Sequence, residues 1–157
     1  MEERVRQRLA HICILVRDID LAIEHYSCIL GVVSPSLLNQ EIVKEECFAG
    51  KDHYLTTFFR APDDGCDIQL LQPLEPGSPL HNRLEKHGEG LHHMAFASTH
   101  LEDTFQRLKQ KEVALHGDQF NYDGNNPDSR WVWITPQYAH GVLIEVMDEY
   151  KKTDQTE

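Results

Sequence analysis

Four polar side chains interrupt runs that otherwise read as apolar strands: His11 in LAHICILV, Gln69 in CDIQLL, His93 in GLHHMAFA and Glu145 in VLIEVM. A polar group in the middle of such a run costs free energy unless it finds a partner, and an unpaired carboxylate costs most. Any one of the four has an ordinary explanation, as a strand-end histidine bonded to backbone or a glutamate paired with a base. All four together, each a nitrogen or oxygen donor, share one explanation in a single bound divalent cation.

The elements that must position these residues repeat. One segment, LAHICILVRDIDLAIEHYSCILGV, begins near Leu9, and a second, GLHHMAFASTHLEDTFQRLKQKEV, begins at Gly90. Each reads as a strand opened by histidine, then a helix, then a return to strand. In the first helix Ile19, Ala22, Tyr26 and Ile29 recur at helical spacing, with Asp18 as cap and Gly31 as stop. In the second, Thr99 and Glu102 form a T-x-x-E capping box, and Leu101, Phe105 and Leu108 supply the apolar stripe. Strand-like runs follow each helix: HYLTTFFRA and CDIQLL after the first, RWVWIT and VLIEVM after the second. Between the halves Ser78-Pro79 opens a short helix that Gly88 ends.

The expected architecture is therefore α+β, with two βαβββ modules in one domain over residues 1–157. Module one spans about 9–74, a helical linker about 75–89, and module two about 90–149. Aligning the modules pairs His11 with His93 and Gln69 with Glu145, so a pseudo-twofold arrangement brings all four to its axis. Strand alternation agrees. It sets His11, Cys13 and Leu15 on one face and Ile12, Ile14 and Val16 on the other, and it turns His92 away from His93.

Composition narrows the function. The chain has 157 residues, enough for one sizeable core, and a charged fraction of 26%, ordinary for a globular protein. A formal net charge of -11 argues against nucleic acid, whose phosphates need a basic face. No apolar stretch reaches the roughly 18 residues of a membrane helix. The charged start, MEERVRQR, has no apolar signal core, so a cytoplasmic protein is expected. Cys13, Cys28, Cys47 and Cys66 form no C-x-x-C pair and read as buried reduced thiols.

At these motifs the sequence resembles the vicinal oxygen chelate superfamily (glyoxalase, bleomycin-resistance and dioxygenase proteins), nearest to its methylmalonyl-CoA epimerase branch. The resemblance runs from about Leu9 to Met147 through HICILVRDIDLAIEHY, IQLLQPLEPGSPLHNRLEKHGEGLHHMAF and GVLIEV. It implies a glyoxalase-like fold of cupped mixed sheets, often a homodimer. It also implies metal ligands at His11, Gln69, His93 and Glu145, holding one divalent ion such as Co, Ni, Mn or Zn. The epimerase branch carries a Pro-Glu-His-Gly-like turn whose Glu transfers a proton; here ungapped counting from Gln69 reaches His53, with Glu45 and Glu46 a little earlier.

The leading expectation is epimerisation of a small-molecule acyl thioester such as methylmalonyl-CoA, with Glu145 as one catalytic group and His53 or Glu46 as the other. Alternatives are a glyoxalase I-like reaction on a thiol hemithioacetal, and an Fe²⁺ dioxygenase using His11, His93 and Glu145. Another is a binding protein that holds a flat ligand among Trp131, Trp133, Tyr54, Phe58 and Phe59.

Overall fold

Alternation in the first strand decides which side of the sheet becomes interior. In the computed structural model, which describes residues 7–149, β1 (Gln7–Leu15) turns His11, Cys13 and Leu15 inward, all almost wholly buried. Ile14 and the following Val16 face the other way, into a cluster with Ile19 and Leu30 of α1 (Ile19–Val33). The Asp18 carboxylate caps that helix by accepting from the Leu21 amide at 3.1 Å. Gly31, expected as the stop, lies inside the helix, which runs on to Val33. The true stop is Pro35: its ring disfavours helical backbone at the preceding residue, and Ser34 is extended there (φ -158).

A short 3-10 turn, Pro35–Leu38, leads to β2 (Glu45–Ala49), β3 (Asp52–Phe59) and β4 (Asp67–Pro73). After α2 (Pro79–His87) the pattern recurs as β5 (Gly90–Ser98), α3 (Leu101–Gln110), β6 (Asn121–Asp123), β7 (Asn126–Ile134) and β8 (Ile144–Asp148). The result is two βαβββ modules. β1 pairs parallel with β4, β5 pairs parallel with β8, and β1 meets β5 antiparallel at the seam. The strand order β2-β3-β4-β1-β5-β8-β7-β6 is symmetric about that seam.

The sheet then curls until its edges meet. The Gly124 amide, in the β6–β7 turn, donates to the Phe48 carbonyl of β2 at 2.7 Å, and the Asn125 side-chain amide donates to the Glu46 carbonyl at 2.9 Å. The Phe48 amide in turn donates to the Asp123 carboxylate at 3.4 Å.

Outside the curl, α1 covers Phe59, Leu70 and Val16, while α3 covers Val132, Ile134 and Val146. Val142, in the strand-like run VLIEVM, precedes β8 and is exposed. Inside, α2 plugs one end of the curl, where Leu80 and Leu84 pack on Cys13, Leu15, Leu71 and Tyr54. Ser78 caps α2 and Gly88 (φ 76) ends it, as its sequence predicts.

The expected capping box of α3 does not form. The cap position is His100, which makes no side-chain cap bond, and Glu102 instead accepts from Arg130 of β7. A guanidinium offers a stronger, charge-assisted hydrogen bond than a backbone amide. Among the described residues no helix is long and apolar enough to cross a membrane.

Candidate metal centre

The register lays the four predicted ligands out in two short rows. Across the seam His11 lies opposite Ala95, and Ala95 lies beside Glu145 on β8. In the mirror row His93 lies opposite Cys13, and Cys13 lies beside Gln69 on β4. The residue between each pair is small, so the longer side chains can reach over it toward the axis. His11 Nε2 lies 3.2 Å from His93 Nε2 and 3.5 Å from Glu145 Oε2, and His93 Nε2 lies 2.7 Å from the same carboxylate oxygen. All four residues are at least nine-tenths buried, and all four line one cavity.

Gln69 tests whether a cation fits there. Its Nε2 donates to the Thr56 hydroxyl at 2.9 Å, and that hydroxyl donates to the Leu70 carbonyl at 3.0 Å. The amide is thereby fixed with Oε1 left over: buried, and without a hydrogen-bond partner in the structure. A buried carbonyl oxygen without a partner costs about 1–3 kcal/mol. In the same cavity as two imidazole nitrogens and a carboxylate, this oxygen adds a fourth donor of a type suited to a divalent ion.

The electrostatics agree. Burial alone would raise the Glu145 carboxyl, but interactions with the adjoining His93 and His11 rings hold it well below the usual carboxylate range. It is an anion in the wall of the site. Burial and the nearby Glu145 push the Cys13 thiol up, so this sulfur stays protonated although it lies within 4.8 Å of ring nitrogens of His92 and His93.

Alternation places the other candidates. On β3 the inward residues are Asp52, Tyr54, Thr56 and Phe58, and all four line the cavity. His53 points out, stacks on Phe48 with ring centroids 4.2 Å apart, and pairs with Glu46 at 2.5 Å. The structure therefore does not bring His53 or Glu46 to the four predicted ligands. Glu45, one residue from Glu46, does face the cavity, directly opposite Thr56. Of the predicted aromatic lining, Trp131, Trp133, Tyr54 and Phe58 are present, whereas Phe59 is in the core under α1.

His92 overturns the expectation from alternation, since it lies on the same side as His93, with their Nδ1 atoms 2.7 Å apart. The cause is a β-bulge: Cys13 pairs with His93 and Ile14 with Leu91, leaving His92 as the extra residue. Burial and the neighbouring His93 lower the His92 imidazole to about 3, so it is neutral.

The cavity has a volume of about 650 Å³. Among the described residues its lining includes Glu45, Asp52 and Asp123 but no Lys or Arg. Burial together with Asp123 and Glu45 pushes the Cys47 thiol to about 12.

Comparison with known proteins follows the same outline. A model of the Glyoxalase/Bleomycin resistance protein/Dioxygenase superfamily matches residues 10–128. The uncharacterized protein YqjC of Bacillus subtilis (strain 168) is 36% identical over 141 residues, covering 90% of this chain and 91% of YqjC. Methylmalonyl-CoA epimerase from Mycobacterium tuberculosis superposes with a TM-score of 0.69 at 28% identity, over 92% of this chain and 89% of that one. A hypothetical protein from Bacillus halodurans C-125 shares the fold with a TM-score of 0.69 at 22% identity, over 94% of this chain and 98% of that one.

Proposed function

This chain belongs to the Glyoxalase/Bleomycin resistance protein/Dioxygenase superfamily, and on that premise we propose that it is a metal-dependent epimerase or isomerase moving a proton next to a carbonyl, acting on an acyl thioester of the methylmalonyl-CoA kind. The observation that carries this reading is the buried, partnerless Gln69 Oε1 beside the His11, His93 and Glu145 cluster. The likeness to the Mycobacterium tuberculosis epimerase supports the reaction class.

His11, Gln69, His93 and Glu145 would hold the ion. When bound, it supplies positive charge for a carbonyl oxygen whose neighbouring C–H is losing its proton. The residues do the rest. The Gln69 amide, held by Thr56, keeps an oxygen rather than an N–H toward the site. Glu145 is the base on one side of the carbon. Glu45, which lines the same cavity and pairs with Thr56, would serve as the opposing acid. The aromatic lining of Trp131, Trp133, Tyr54 and Phe58 holds the acyl body and keeps water from the carbanionic carbon.

The test is solvent-deuterium exchange into methylmalonyl-CoA by Co²⁺-loaded protein, followed by mass spectrometry. Exchange should be fast, should stop on chelation, and should fall by about 10²–10⁴-fold in Glu145→Gln, because an amide cannot take the proton. Glu45→Gln should retain exchange at one face and lose inversion. No exchange in any α-substituted thioester, with tight binding of a flat aromatic compound, would replace this reading with sequestration.

A further inference from the structure

Each histidine at the seam is preceded by a bulged residue: Ala10 before His11, where Leu9 pairs with Phe96 and His11 with Ala95, and His92 before His93. Bulges of this kind re-aim side chains and cluster next to functional sites. In the second module the bulge turns two consecutive imidazoles to one side of the sheet. Their Nδ1 atoms lie 2.7 Å apart, which requires one to donate and the other to accept.

The direction of that bond follows from the other end of the His93 ring. Its Nε2 is the atom aimed at Glu145 and His11. For Nε2 to present a lone pair to an ion, the ring proton must sit on Nδ1, and that N–H then donates to His92 Nδ1. Trp133 stands edge-on to both rings, with centroids 5.0 Å from His93 and 6.2 Å from His92, and fixes their planes.

We propose that His92 is a positioning residue: it accepts the Nδ1 proton of His93, holding that ligand in the tautomer and orientation that bind the ion. This rests on the metal reading above. His11 lacks the same support, since its Nδ1 is buried without a hydrogen-bond partner and the equivalent bulge position is Ala10.

The test compares full-length wild type with His92→Phe and His92→Asn. Phenylalanine keeps a ring against Trp133 but cannot accept a proton, whereas the asparagine carboxamide oxygen can occupy the Nδ1 position. Co²⁺ affinity is read by competition with a chromophoric chelator, and ligand geometry by the visible absorption of bound Co²⁺. His92→Phe should weaken Co²⁺ binding by about 10–100-fold and alter that spectrum. His92→Asn should recover most of both. Thermal melting of the metal-free proteins identifies a folding failure, and where phenylalanine causes one, the asparagine variant and His92→Leu carry the comparison. Wild-type affinity in a folded His92→Phe or His92→Leu would overturn the proposal while leaving the site intact. Equal weakening in His92→Asn would overturn it in favour of a packing role. A wild type that binds no Co²⁺ would overturn both the proposal and the metal reading.

Discussion

The two modules build the same corner of the site from different chemistry. Module one brings His11 and the neutral Gln69, the first with an unsupported ring and the second steered by Thr56. Module two brings His93 and the anionic Glu145, which touch each other at 2.7 Å, with His92 behind the histidine. The backbone positions are equivalent, down to the bulged residue before each histidine. The difference therefore lies in side chains alone. A repeated fold supplies the geometry twice, and substitutions within one copy make the two halves chemically unlike.

That comparison breaks most readily at the histidines. His93→Ala should reduce Co²⁺ affinity by more than about 100-fold, because it removes a ligand and its supporting hydrogen bond together. His11→Ala should cost clearly less, with metal content after desalting as the measurement. Equal losses would mean that the asymmetry in hydrogen bonding does not reach the ion. A smaller effect is expected from Gln69→Glu, which makes the modules alike. The added charge should tighten Co²⁺ binding on the order of tenfold and slow deuterium exchange, since the ion then has less positive charge to offer the substrate. Unchanged affinity would show that Gln69 does not touch the ion. The smallest effect belongs to Thr56→Val, which keeps the shape but releases the Gln69 amide. It should cost about 1 kcal/mol of stability through the Leu70 carbonyl and a few-fold in exchange rate, and Thr56→Ser should restore both.

Much of this was legible in the amino-acid string, because strand alternation and burial act on the same residues. The pairing of His11 with His93 and Gln69 with Glu145 follows from polar donors in apolar runs. The small residue two positions after each histidine, Cys13 and Ala95, was an available sign that the ligands reach across it. What alternation could not reveal is where it breaks. The bulge that turns His92 inward is a register property of two distant strands, so no local pattern marks it. Counting back from Gln69 failed at His53 for a related reason: one residue decides which face of β3 a side chain takes, and the inward faces belong to Asp52 and Tyr54. Gly31 and Glu102 misled because Pro35 and Arg130 outweighed their local preferences.

The contact between Gly124 and Phe48 has a consequence for colloidal behaviour. An open eight-stranded sheet would display two bare edges, each a template for pairing with another molecule. Here the outermost strand β2 has backbone groups of Glu46 and Phe48 occupied by Asp123, Gly124 and Asn125 at the end of β6, so the curl guards part of that edge. The guard hangs on three bonds at a turn, and it is as strong as that turn. Changes at Asp123, Gly124 or Asn125 therefore free backbone groups of β2, and this short turn is where that edge is opened to another molecule.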